Sequence, residues 1–256
     1  MNGALLLAGL LGPYLWAAHH VRRGWPPART LAAVAGVLVL AFSVSGPLDA
    51  AADRTLTAHM AQHLVVATLA PLLVALSAPM RLLFAVLAPR EGRALARALR
   101  RVPLSGLTAT PVAILLPGAV LVVIHLTGLF GAALAHPWVH VLEHAVLFWT
   151  ALLGWVVVLG VDPVPARPGA IAVFVATSAW MIASAAVGAV YASATHPLFA
   201  AYAGRPGALA DQHDGGTLMW LGGVAILVPL TLVLCMRALL AEERRQQRRD
   251  ALELAG

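Results

Sequence analysis

The sequence predicts an all-α fold, a polytopic bundle of about seven transmembrane helices, and three observations predict it. Apolar residues make up 61% of the 256 and charged residues only 11%, against about 25% charged in an ordinary soluble domain. The mean hydropathy is +0.85. The apolar residues gather into seven runs that meet or approach the about 20 residues needed to span a hydrocarbon core of about 30 Å. A chain this poor in charge cannot cover a globule with polar surface, so its solvent is lipid.

Taken in order, the runs cover 4–18, 30–47, 56–77, 111–130, 138–160, 170–194 and 216–240. The first is the shortest. It opens MNGALLLAGLLGPYLW, without the basic n-region of a cleaved signal, and reads as a retained helix. Between the third and fourth lies PMRLLFAVLAPREGRALARALRRVPL. Its Arg90, Arg93, Arg97, Arg100 and Arg101, at three- and four-residue steps, predict an amphipathic helix lying in the membrane interface. Pro13, Pro47, Pro71, Pro111 and Pro117 fall in or beside the runs, where membrane helices tolerate them as kinks. No internal repeat stands out. The chain reads as one integral membrane domain, 1–256, with 237–256 a basic cytoplasmic tail.

A net charge of +6 and a pI near 10.9 invite a nucleic-acid reading, which the distribution excludes. Every basic residue is an arginine, set in short clusters between apolar runs, with too few aromatic residues among them for the platform that stacking requires. The clusters instead report topology. With the N-terminus outside, the segments 19–29, 78–110, 161–169 and the C-terminal tail face inward. They hold all the arginines except Arg54 and Arg205. The positive-inside rule then gives N-out, C-in. Cys235 is the single cysteine, so there is no internal disulfide and no CxxC metal motif.

On this topology the histidines segregate. His19 and His20 fall inside, and the other eight lie outside or in the outer part of a span. Ionisable side chains at membrane depth are expensive and mark functional sites. His59 and His63 are four apart and share one helix face; His136, His140 and His144 repeat that step. Two imidazoles at i and i+4 can chelate one ion, and two such helices together suit copper, zinc or iron. The candidate ligands are therefore His59, His63, His140, His144, His125, His136, His213 and Asp211, with Met60 and Met219 as soft thioethers for Cu(I). Gln62, Glu143, Gln212 and Trp220 are candidates for orienting the ligands from behind. Any one of these histidines is equally compatible with an interhelical hydrogen bond, and His196 in the last outer loop is open between the two readings. It is the pairing of two HxxxH units on separate helices at one depth that favours a metal.

Three blocks carry a family resemblance: HMAQHLVVATLAPLLVALSAP at 59–79, HPWVHVLEHAVLFWTALLGW at 136–155 and DQHDGGTLMWLGG at 211–223. In order and spacing they resemble the CtaG family of caa3-type cytochrome c oxidase assembly factors, over about residues 30–240. Family members often show DQQxGG where this chain has Asp211-Gln212-His213-Asp214-Gly215-Gly216. The resemblance implies a multi-pass protein of the bacterial plasma (inner) membrane, not an enzyme. It would act in maturation of a haem–copper oxidase, through copper bound and handed over on the extracytoplasmic side, zinc being the other candidate ion. Implied partners are cytochrome c oxidase subunits or other copper-handling proteins, the lipid bilayer and, in a homo-oligomer, further copies of the chain. Two alternatives stay open on the residues alone. One is a seven-helix zinc-dependent intramembrane hydrolase, with Asp211 or Glu143 as base. The other is a haem protein with two axial histidines.

Overall fold

The computed structural model describes residues 3–21, 24–101, 110–163 and 168–254, and among these every regular element is a helix. Arg22, Arg23 and Arg167 lie outside the described residues, as do the side chains of Arg100 and Arg101. Helix α1 covers residues 3–20 in three pieces, Gly3–Leu6, a π-helical turn Leu7–Leu11, and Gly12–His20. Helix α2 is Pro27–Ala52, broken at Gly46 ahead of Pro47. Helix α3 covers 56–76 and carries a second π turn, Val65–Leu69. Then come α4 (Pro79–Val86), α5 (Pro89–Arg101), α6 (Thr110–Leu126), α7 (Gly128–Ala135), α8 (Pro137–Leu159), α9 (Ala170–Ala192), α10 (Ala200–Ala203) and α11 (Ala208–Leu254).

Among the described residues, five helical stretches are long and apolar enough to cross a membrane: α2, α3 with α4, α8, α9 and α11. A sixth is the pair α6 and α7, bent by 71° at Thr127, whose hydroxyl donates to the Val123 carbonyl and accepts from the Leu129 amide. The chain is thus a multi-pass helical membrane protein with five candidate spans among the described residues, or six if the bent pair is one span. Helix α1 forms where the first of the seven runs was expected but is not among the stretches long and apolar enough to span. Helix α5 forms where the arginine spacing predicts it, with Arg90, Arg93 and Arg97 exposed.

What holds the bundle together is a set of acidic caps that cross from one helix to the start of another. Helix N-termini leave amides without partners, and lipid supplies none. The Asp211 carboxylate on α11 accepts from the Leu56 amide at 2.6 Å and the Thr57 amide at 3.1 Å, capping α3. The Thr57 hydroxyl returns a bond to the Asp211 carbonyl at 2.9 Å. At the opposite end Asp162 accepts from the Arg81 amide of α4 at 2.8 Å, and Glu242 accepts from the Ala170 amide of α9 at 3.0 Å. Burial pushes the Asp162 carboxyl above its ordinary range, against the pull of the Arg81 and Met80 amides.

Close backbone approach fixes α11 in place. A Cβ on Gly216 would meet the Ala192 nitrogen at 2.5 Å, and one on Gly188 would meet the Gly216 carbonyl oxygen at 2.5 Å. Small residues at such crossings are how membrane helices gain van der Waals contact without a hydrophobic driving force. Helix α11 also packs on α3, which lies against α2 and α8, while α6 packs on α8 and α9. The core divides into a cluster at the end holding Met60, Phe130 and Tyr191 and another holding Trp155 and Trp180.

Candidate metal centre

Packing α3 against α8 brings both histidine pairs together. The candidate ligand atoms of His59, His63, His140, Glu143 and His144 all lie within 4.8 Å of one another. Four of the five residues are buried and His140 is half-buried. The Cβ periodicity of each helix aims its i and i+4 residues one way, so one interhelical contact suffices to assemble the group. Phe130 of α7, fully buried, roofs the rings of His59, His63 and His125 at centroid distances of 5.1, 5.8 and 5.1 Å.

The hydrogen bonds around the cluster assign its protons. His125 Nδ1 lies 2.9 Å from the Leu121 carbonyl oxygen, which can only accept, so Nδ1 carries hydrogen. In a neutral ring Nε2 is then a bare acceptor. It lies 2.8 Å from His63 Nδ1, so His63 donates through Nδ1 and its own Nε2 is bare. A second chain does the same for His59. The Tyr202 hydroxyl donates to the Ala52 carbonyl at 2.8 Å and therefore accepts from His59 Nδ1 at 3.0 Å, leaving His59 Nε2 bare.

The two bare nitrogens face each other at 3.1 Å. Two lone pairs cannot hydrogen-bond; they repel unless a cation shares them. Tetrahedral ligands at metal–nitrogen distances of about 2.0–2.1 Å sit about 3.3 Å apart, which is close to the spacing found here. Around this pair, His140 Nε2, His144 Nε2 and both Glu143 carboxylate oxygens are buried with no hydrogen-bond partner among the described residues. The Glu143 oxygen nearest the pair is 3.8 Å from His63 Nε2. Buried polar atoms are almost always bonded, so a group of orphans converging on one point is a candidate site for a ligand. Four imidazole nitrogens and one carboxylate suit a borderline transition-metal ion such as copper or zinc.

The other residues singled out in the sequence sit elsewhere. His125 is fully buried but turned onto His63 as its hydrogen-bond partner. Asp211 spends both carboxylate oxygens capping α3. Gln212 accepts from the Leu198 amide at 2.7 Å and donates to the Tyr191 and His196 carbonyls, tying down the loop before α10. Gln62 donates to the Ser43 carbonyl and to Asp49, both at 2.8 Å. His213 lies 2.8 Å from the Ala194 carbonyl through Nε2. His136 is exposed at the N-cap of α8, and its carbonyl accepts from the Val139 and His140 amides. Met60 is buried against Gly215, Met219 is buried beside Ser184, and Trp220 faces outward. His196 is exposed next to Thr195, and His19 and His20 are exposed at the other end, His20 stacked on Trp16. Glu143, expected to orient the candidate ligands from behind, has a carboxylate oxygen within 4.8 Å of the candidate ligand nitrogens. Tyr202 and Phe130 complete the surroundings and carried no sequence signal, being aromatic residues isolated in α10 and α7.

The residue pattern over 12–240 matches the family model for the cytochrome c oxidase caa3 assembly factor, Caa3_CtaG. The chain belongs to this family. Two curated relatives of this caa3 assembly factor family member are the uncharacterized protein Mb0105 of Mycobacterium bovis and the uncharacterized protein MT0111 of Mycobacterium tuberculosis. Each is 28% identical over 251 residues, covering 90% of this chain and 36% of the relative. The chain therefore spans about a third of the length of these relatives. No solved structure matches it.

Proposed function

We propose that this chain is an assembly factor for a haem–copper cytochrome c oxidase that binds copper at the His59, His63, His140, Glu143, His144 cluster and hands it to an oxidase subunit. One observation carries the reading: buried imidazole nitrogens with bare lone pairs converge on a single point beside an unpartnered carboxylate. The role is binding and transfer, with no catalytic turnover. An excess of donors favours exchange, because an ion held by three or four of them can gain an incoming ligand before losing an old one.

The reading includes a plasma-membrane location with seven spans, α1 counted as the first, and the cluster on the extracytoplasmic side. Support comes from the arginine distribution and from the grouping of Asp53, Arg54 and Arg205 at the cluster's end, where Arg205 donates to the Arg54 and Asp53 carbonyls. The zinc-hydrolase alternative keeps one supporting observation, the unpartnered Glu143 beside the imidazoles. Elemental analysis of the purified full chain, offered Cu(I) and Zn(II) in turn, tests both. We expect one copper per chain, lost in His63→Ala and in His144→Ala. Copper retained at full stoichiometry by both variants refutes the assignment, and a preference for zinc with hydrolytic activity turns it to the alternative.

A further inference from the structure

The cluster touches two cavities of opposite character. Below it, toward the bundle centre, is a cavity of about 40 Å³ that reaches His63 and Met219. None of its lining residues is exposed. It has room for water and little more. Above it is a vestibule of about 480 Å³ between the turn after α2, the end of α7, the start of α8 and α10. His59 and His140 form its floor, and the exposed residues Asp53, Ala135, Ala201 and Arg205 form its rim. His140 is also the one member of the five that is not fully buried.

We propose that this vestibule is the port through which a transition-metal cation enters and leaves the cluster, with His140 the first imidazole it meets and His63 the last. This rests on the metal reading above. The other sides are packed more tightly: Phe130 covers the rings from α7, His125 and Tyr191 fill the side toward α6 and α9, and the cavity below is small and lined by no exposed residue. The rim also carries a ready-made coupling. The Arg205 guanidinium, bonded to the Asp53 and Arg54 carbonyls, lies 5.2 Å from the ring centroid of Tyr202. The Tyr202 hydroxyl in turn holds His59. A partner that displaces Arg205 therefore reaches His59 through Tyr202.

The test separates route from site. Full-length protein in nanodiscs is loaded with Cu(I) presented on a chromophoric chelator, and both the rate and the final stoichiometry are read. Ala201→Trp and Ala135→Trp put a large side chain in the port. They should slow loading and release by about tenfold or more while the stoichiometry after long incubation stays that of the parent. Thr68→Trp, placed beside the lower cavity, should leave the rate unchanged. Unaltered loading in both port variants, or slowing only in Thr68→Trp, overturns the route and leaves the site standing. A parent chain that takes up no copper overturns the site and the route together.

Discussion

The cluster on α3 and α8 and the Asp211–Gln212 pair of α11 are both polar and at one end of the bundle, yet they differ in how their hydrogen-bonding capacity is used. Asp211 and Gln212 spend every side-chain oxygen and amide on neighbouring backbone. His140 and His144 leave Nε2, and Glu143 both oxygens, without a partner among the described residues, and His59 and His63 set two lone pairs face to face. Satisfied buried polar groups build architecture, whereas converging unsatisfied ones are the candidates for binding a ligand. The α11 block is the clamp that sets α3 at the depth and rotation where its histidines meet α8.

That contrast predicts opposite signs for substitutions on the two sides. The largest effect belongs to Asp211→Ala. It removes two charge-assisted bonds to the start of α3 and should cost about 3 kcal/mol, seen as a drop in the thermal midpoint without metal. A metal-free midpoint equal to the parent's would break the comparison. Next is His144→Leu. It removes an orphaned buried nitrogen and should hold or raise metal-free stability by about 1 kcal/mol while abolishing the copper-induced rise in midpoint. A loss of metal-free stability would move His144 to the architectural side.

Two smaller effects sharpen the picture. Tyr202→Phe keeps the ring and frees the His59 proton, so it should weaken copper affinity about tenfold with about 1 kcal/mol lost in the metal-free protein. Competition against a chelator of known affinity reads the first, and chemical denaturation the second. The smallest effect is expected at Asp162. Its carboxyl is raised in the fold, so the folded state favours the protonated form. Asp162 thus contributes most below the unfolded carboxylate pKa and becomes a liability as pH rises above it. Asp162→Asn keeps an acceptor for the Arg81 amide and sheds the charge. It should be neutral or slightly stabilising at pH 7, and should flatten the fall of the midpoint between pH 4 and 7.

Much of the site was legible in the sequence because helical spacing is geometry. His59 and His63, and His140 and His144, had to share faces, and one packing contact between α3 and α8 aligned both pairs. Asp211, His136 and His213 were as conspicuous as sequence features but took other positions. A residue near a helix start can cap, bond a carbonyl or ligate, and only its neighbours in space choose among these. Glu143 shows the same limit from the other side. Its position one residue before His144 placed it near the site, and the rotation of α8 brought its oxygens among the nitrogens.

The sequence by itself determined the lipid-embedded helical character of this protein, the faces on which its paired histidines lie, and the family to which its motifs are similar. These follow from hydropathy and from the fixed periodicity of the helix, which need no knowledge of what packs on what. Tertiary structure alone decided which helices are neighbours, which nitrogens keep their lone pairs, and where the cluster opens. Those depend on distances between residues far apart in the chain: the Gly188–Gly216 crossing, the Asp211 cap, and the Tyr202 and His125 hydrogen bonds that fix where the protons sit.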